Sequence, residues 1–113
     1  MSRLLSPQEY LEIERRNEFR SEFYNGEMFA MSGVTRRHDR INTRLTSLID
    51  QHLTGKKCEA FSASMRVLAT PSGLYTYPDL SVACEEPQFA DAQVDTLTNP
   101  TLLVEILSPS TED

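Results

Sequence analysis

Two acids stand where strand sequence leaves little room for them. Asp79 follows Pro78 at the head of an apolar run in "YPDLSVAC", and Glu105 lies inside another in "TLLVEILS". Carboxylates are depleted in strands, and one buried without a partner costs so much free energy that it neutralises itself or recruits a counter-charge. If the two runs are neighbouring strands, a divalent cation between the acids is an economical compensation. Mg²⁺ or Mn²⁺ takes hard oxygen ligands in octahedral geometry, and two carboxylates, a backbone carbonyl and waters meet that need. A plainer reading makes Asp79 a hydrogen-bond acceptor in the turn after Pro78 and Glu105 a solvent-facing residue of an edge strand. Spacing alone leaves both open.

Other reactive side chains are fewer. His38 falls on the apolar face of a helical segment with Ile41 and Leu45, which reads as a core histidine with a site role as the secondary alternative. Arg36, Arg40 and Arg44 recur every four residues and project away from the Ile41, Leu45 and Leu48 stripe, as a solvated face does. Cys58 and Cys84 lack CxxC spacing or histidine companions, so two buried reduced thiols are expected rather than a zinc site, with a disulfide left open.

Elements must position these groups. "SPQE" at Ser6 to Glu9 carries an N-cap serine, proline at the first helical position and glutamate at the third, so a helix is expected over about Pro7 to Arg16. In "RSEFYNGEMFAMSG", Asn25-Gly26 supplies the positive φ angles of a type I′ turn between two short runs, which predicts a β-hairpin. Strand alternation puts Glu22 on the same side as Arg20 and Tyr24. From Thr35 the period becomes helical, with Ile41, Leu45, Leu48, Ile49 and His52 on one face and Gly55 as the C-cap. "CEAFSASMRVLAT" reads as one or two strands, "YTYPDLSVAC" as another and "PTLLVEIL" as the last, with an irregular acidic connection from Glu85 to Thr98. "SPSTED" reads as the start of a further helix, so the chain is expected to stop short of a larger domain.

The 113 residues suit one domain, with 39% hydrophobic and 25% charged residues as in an ordinary globular protein. No apolar run is long enough to span a bilayer and no leader pattern is seen, so a cytoplasmic protein is expected. The net charge of −6 is unevenly spread: all eleven Lys and Arg lie at or before Arg66, where the chain nets +2, and the remainder nets −8. The acidic part would repel a phosphate backbone unless it faces away or holds something cationic among its carboxylates.

Taken together, "RSEFYNGEMFAMSG", "YPDLSVAC" and "NPTLLVEILSPSTED" resemble the Uma family, which is grouped with the PD-(D/E)xK nuclease superfamily, and the likeness covers nearly all of the chain. The resemblance implies an α+β restriction-endonuclease-like core, a mixed sheet flanked by helices with the two acids together at one end. It implies that Asp79 and Glu105 are catalytic metal ligands, that the Ile106 carbonyl is a third ligand, and that Glu22 matches an acid many members carry upstream. It further implies a Mg²⁺- or Mn²⁺-dependent endonuclease acting on nucleic acid, DNA foremost. The superfamily's lysine should come two residues after the second acid, where this chain has Leu107; related families carry it on the following helix. A non-catalytic fold relative that binds or dimerises is therefore the alternative, and a phosphoesterase on small nucleotides a third. An unpaired sheet edge after Leu107 predicts a homodimer.

Overall fold

Residues 4–107 are described by the structure, a computed structural model. "SPSTED" lies outside the described residues.

The first helix, α1 (Pro7–Arg16), begins where the capping box places it. Ser6 Oγ accepts from the Glu9 N–H at 3.1 Å, and Glu9 Oε1 accepts from the Ser6 N–H at 2.9 Å. The hairpin follows as β1 (Ser21–Tyr24) and β2 (Glu27–Ala30), with φ of 52° at Asn25 and 86° at Gly26. Gly26 is also a close approach: a Cβ there would meet the Leu4 Cβ at 2.8 Å. The long helix α2 (Arg36–His52) is capped by Thr35, whose side chain accepts from the His38 N–H. It ends at Leu53 in a right-handed conformation, so Gly55 is not its C-cap; with φ of 80°, that glycine lies in the turn beyond.

Six short strands follow among the described residues: β3 (Cys58–Phe61), β4 (Arg66–Leu68), β5 (Tyr75–Thr76), β6 (Leu80–Cys84), β7 (Thr96–Leu97) and β8 (Leu102–Val104). The class is α+β as expected, but the strands divide between two sheets. One has the order β2-β1-β5-β4-β7, mixed because β4 and β7 run parallel; the other is antiparallel, β3-β6-β8. "CEAFSASMRVLAT" and "YTYPDLSVAC" therefore each hold two strands, one per sheet. In the second, Pro78 has no N–H to give a ladder, and the chain leaves the first sheet there and enters the other at Leu80. The 85–98 connection, expected to be irregular, contains β7 and a bridge from Phe89 to Leu97.

Apolar packing holds the sheets and α1 together. Tyr10 and Leu11 of α1 pack on Phe23 and Tyr75, with the Tyr10 and Phe23 rings stacked at 4.7 Å. A second cluster joins Val67 and Leu97 of the five-stranded sheet to Ala83 of the other. α2 is held more loosely: none of its residues is fully buried. Ile41 and Leu48 are 44% and 59% exposed, and His52 is exposed too. The half-buried residues are His38, Asn42, Leu45, Thr46 and Ile49, so the inward face is rotated from the apolar stripe that the sequence suggests.

The cysteines also depart from expectation. Cys58 and Cys84 are directly opposite in the β3–β6 register and form a disulfide, and both are only half-buried. Their positions at the start of one strand and the end of its antiparallel neighbour bring the sulfurs together, which their sequence spacing does not reveal.

Candidate active site

The β6–β8 ladder pairs Leu80 with Val104, Ser81 with Leu103 and Val82 with Leu102. Continuing that register by one step sets Asp79 opposite Glu105. The ladder itself therefore brings together two acids that lie far apart in sequence. Asp79 is buried, and its Oδ2 accepts from the Ile106 N–H at 2.7 Å, which fastens the head of β6 to the chain leaving β8. The Ile106 group facing Asp79 is thus its amide.

Electrostatics records the crowding. Loss of hydration, then the nearby Asp79 and Glu22 carboxylates, push the Glu105 carboxyl above its ordinary range, while His38 pulls it the other way. Glu105 is an exposed residue by surface, so the dehydration is local to a carboxyl among others. Glu22 comes from β1, where the Thr76 hydroxyl of β5 donates to its Oε2. Asp79 and Glu22 thus both act on Glu105, Glu22 from the other sheet.

His38 is not simply a core histidine. Its Nε2 lies 3.3 Å from Asp79 Oδ2, and its Nδ1 is buried without a hydrogen-bond partner. Half-buried in the first turn of α2, between exposed neighbours, His38 sets its ring against Asp79. Arg36, Arg40 and Arg44 are exposed, as their projection predicts.

Three positions that sequence inspection passed over, Glu14, Arg66 and Tyr77, anchor the chain just before Asp79. Glu14 of α1 accepts through Oε2 from the Ser21 N–H at 2.8 Å and from the Tyr77 hydroxyl at 2.7 Å. Buried Arg66 donates to that hydroxyl at 2.9 Å and to Thr96 Oγ1 at 2.8 Å. Burial, followed by the bond to Glu14, pushes the Tyr77 hydroxyl up to about 12, so it stays a donor at neutral pH. Tyr77 stands two residues before Asp79, and its anchoring fixes the crossing between sheets. A tyrosine flanking Pro-Asp was the available signal; its partners are distant in sequence.

Among the described residues, no group of three or more His, Cys, Asp or Glu side chains is set to hold a metal ion. Two opposed carboxylates, with Glu105 held above its ordinary range by burial and by the facing Asp79, still suit a hard cation: Mg²⁺ commonly binds through one or two carboxylates and keeps several waters.

The family model Uma2, described as "Putative restriction endonuclease", matches residues 7–113. The chain belongs to this family. It is 39% identical over 108 residues to "Uncharacterized protein slr1290" of Synechocystis sp. (strain ATCC 27184 / PCC 6803 / Kazusa), covering 96% of this chain and 56% of that protein. It is 35% identical over 109 residues to "Uncharacterized protein sll1609" of the same organism, covering 96% and 62%. The chain therefore spans less than two thirds of the length of these relatives. A solved structure described as "a putative nuclease belonging to DUF820", from Anabaena variabilis ATCC 29413, superposes with a TM-score of 0.69 over 94% of this chain and 60% of the other. At 22% identity that likeness shows the fold alone. No helix among the described residues is long and apolar enough to cross a membrane.

Proposed function

We propose that this Uma2 chain carries the acid pair of a divalent-cation-dependent endonuclease that hydrolyses phosphodiester bonds of nucleic acid, DNA in the first instance. The observation that supports this is the juxtaposition of Asp79 and Glu105 across β6 and β8, with Glu22 and His38 beside them. Asp79 and Glu105 would hold Mg²⁺ or Mn²⁺, with the Ile106 carbonyl as the expected third ligand. A bound cation would neutralise phosphate charge and activate a water for in-line attack. Glu22 adds a third carboxylate, and His38 with the Ile106 amide keeps Asp79 from turning away. β8 is an edge strand whose Leu102 and Leu103 are exposed, the surface on which the expected homodimer would form.

The second reading is a non-catalytic relative that keeps the acids as structural remnants. Leu107, where the superfamily has its lysine, favours it. Mn²⁺ and Mg²⁺ titration calorimetry on the chain, beside Asp79→Ala and Glu105→Ala variants verified as folded by circular dichroism, decides between them. Saturable binding lost in each variant is the expected result, and DNA cleavage is then assayed. No heat from a folded wild-type chain would leave only the scaffold reading.

A further inference from the structure

A carboxylate cluster repels the phosphate it is meant to process, and the usual organic cation is missing at Leu107. Arg20 lines the same cleft as Asp79. Its residue immediately precedes β1, two positions from Glu22, and the Met31 N–H donates to its carbonyl at 3.2 Å, prolonging the hairpin. Its Nη1 donates to the Ala63 carbonyl at 2.7 Å, and its guanidinium sits over the Tyr77 ring at 5.2 Å. Tyr77 is itself immobilised by Glu14 and Arg66. Among the described residues Arg20 has no carboxylate within ion-pair distance, unlike Arg15 and Arg66. It is a guanidinium held in place by neutral groups, with its remaining donors available.

The surrounding surface gives it a task. Asp79 lines a cleft of about 450 Å³ together with Phe19, Val34 and Tyr77. A larger groove, about 870 Å³, runs between α2 and the β3–β4 connection. The two share Glu18, Arg20 and Ala63, and among the described residues Arg20 is the one Lys or Arg on the walls of either. The groove otherwise offers Asn42, Thr43 and Thr46, neutral groups that can bond base and sugar edges, beside Asp39 and Asp50, which repel phosphate. We propose that Arg20 is the phosphate-binding residue at the junction of cleft and groove, gripping a nucleic-acid phosphate next to the one that lies at Asp79 and Glu105. This rests on the nuclease reading. Arg20 thereby sets the register of the strand and offsets the acids on either side.

Binding of a short fluorescently labelled DNA strand and of its duplex is followed by anisotropy across a salt series. Ca²⁺ is present so that strand breakage does not intervene. Wild type is compared with Arg20→Gln and Arg20→Lys, with thermal unfolding and Mn²⁺ calorimetry run on all three. Arg20→Gln is expected to weaken DNA binding about tenfold at low salt and to reduce the slope of log K against log salt by about 0.7–0.9, the share of one phosphate contact. Arg20→Lys should recover much of the slope, and Mn²⁺ affinity should be unchanged or improved. An unaltered slope in a folded Arg20→Gln protein overturns the assignment. So does equal loss of DNA and Mn²⁺ binding, which would mark a purely structural residue, or a wild-type chain that binds no DNA. Absence of a Mn²⁺ isotherm in wild type strikes at the nuclease reading separately.

Discussion

Asp79 and Glu105 were visible because an acid in an apolar strand conflicts with its surroundings, and the β6–β8 register shows the conflict to be shared between them. Like charges directly opposite across strands destabilise, and cross-strand pairs are worth roughly 0.2–1 kcal/mol. Replacing Glu105 with Gln keeps the shape and removes the repulsion from Asp79 and Glu22. Without metal, Glu105→Gln should therefore raise the urea midpoint by a stability gain in that range, while abolishing stabilisation by added Mn²⁺. A variant less stable than wild type in metal-free buffer would show that Glu105 contributes attractive contacts to the fold and would weaken its role as a ligand. His38 was less legible. Helical projection weights apolar residues, and α2 turns Asn42 and Thr46 inward while leaving Ile41 and Leu48 at the surface, so the stripe misreports the direction of the ring.

Elements with strong local chemistry could be read directly. The capping box at Ser6 and Glu9 and the positive φ angles at Asn25 and Gly26 are satisfied within a few residues of chain, so sequence suffices. The division into two sheets could not be read in this way, because β5 and β7 are two residues each and owe their pairing to long-range contacts. The same holds for the Cys58–Cys84 disulfide, which depends on β3 and β6 becoming neighbours. It links positions separated by 26 residues. Closing a loop of that size is worth about 3 kcal/mol through the unfolded chain's entropy. Thermal unfolding with and without a reductant should accordingly show Tm lowered by about 10–20 °C on reduction, with Cys58→Ser matching the reduced protein. Equal midpoints for the oxidised and reduced chain would mean that the β3–β6 ladder holds without the bridge.

On the scale of the whole molecule, the uneven charge acquires a meaning. Arg15 and Arg66, from the part that nets +2, reach into the part that nets −8 and pair with its acids: Arg15 Nη2 lies 3.0 Å from Asp91 and 2.8 Å from Asp95, and Arg66 Nη2 lies 2.9 Å from Asp95. The cation among the carboxylates is thus, in this region, the protein's own. Arg15's hydrogen bonds, with Arg66's charge beside them and partial burial opposing, hold the Asp95 carboxyl down at about 2. An unfolded aspartate titrates near 3.9, so the folded state binds this proton more weakly than the unfolded one. The resulting stability is fully present above about pH 4 and is lost as the pH falls through about 2. Asp95 is partly exposed, and solvent screening limits its share to about 1 kcal/mol. Urea unfolding between pH 7 and pH 2 should show a decline on the acid side, and Asp95→Asn should flatten part of it while costing stability at neutral pH. Because Glu105 has the opposite shift, protonation near the acid pair relieves repulsion over a higher pH range, so the two regions pull the curve in opposite directions. A decline of unchanged steepness in Asp95→Asn would place the acid sensitivity elsewhere and would reduce the Arg15–Asp95–Arg66 bridge to a surface contact.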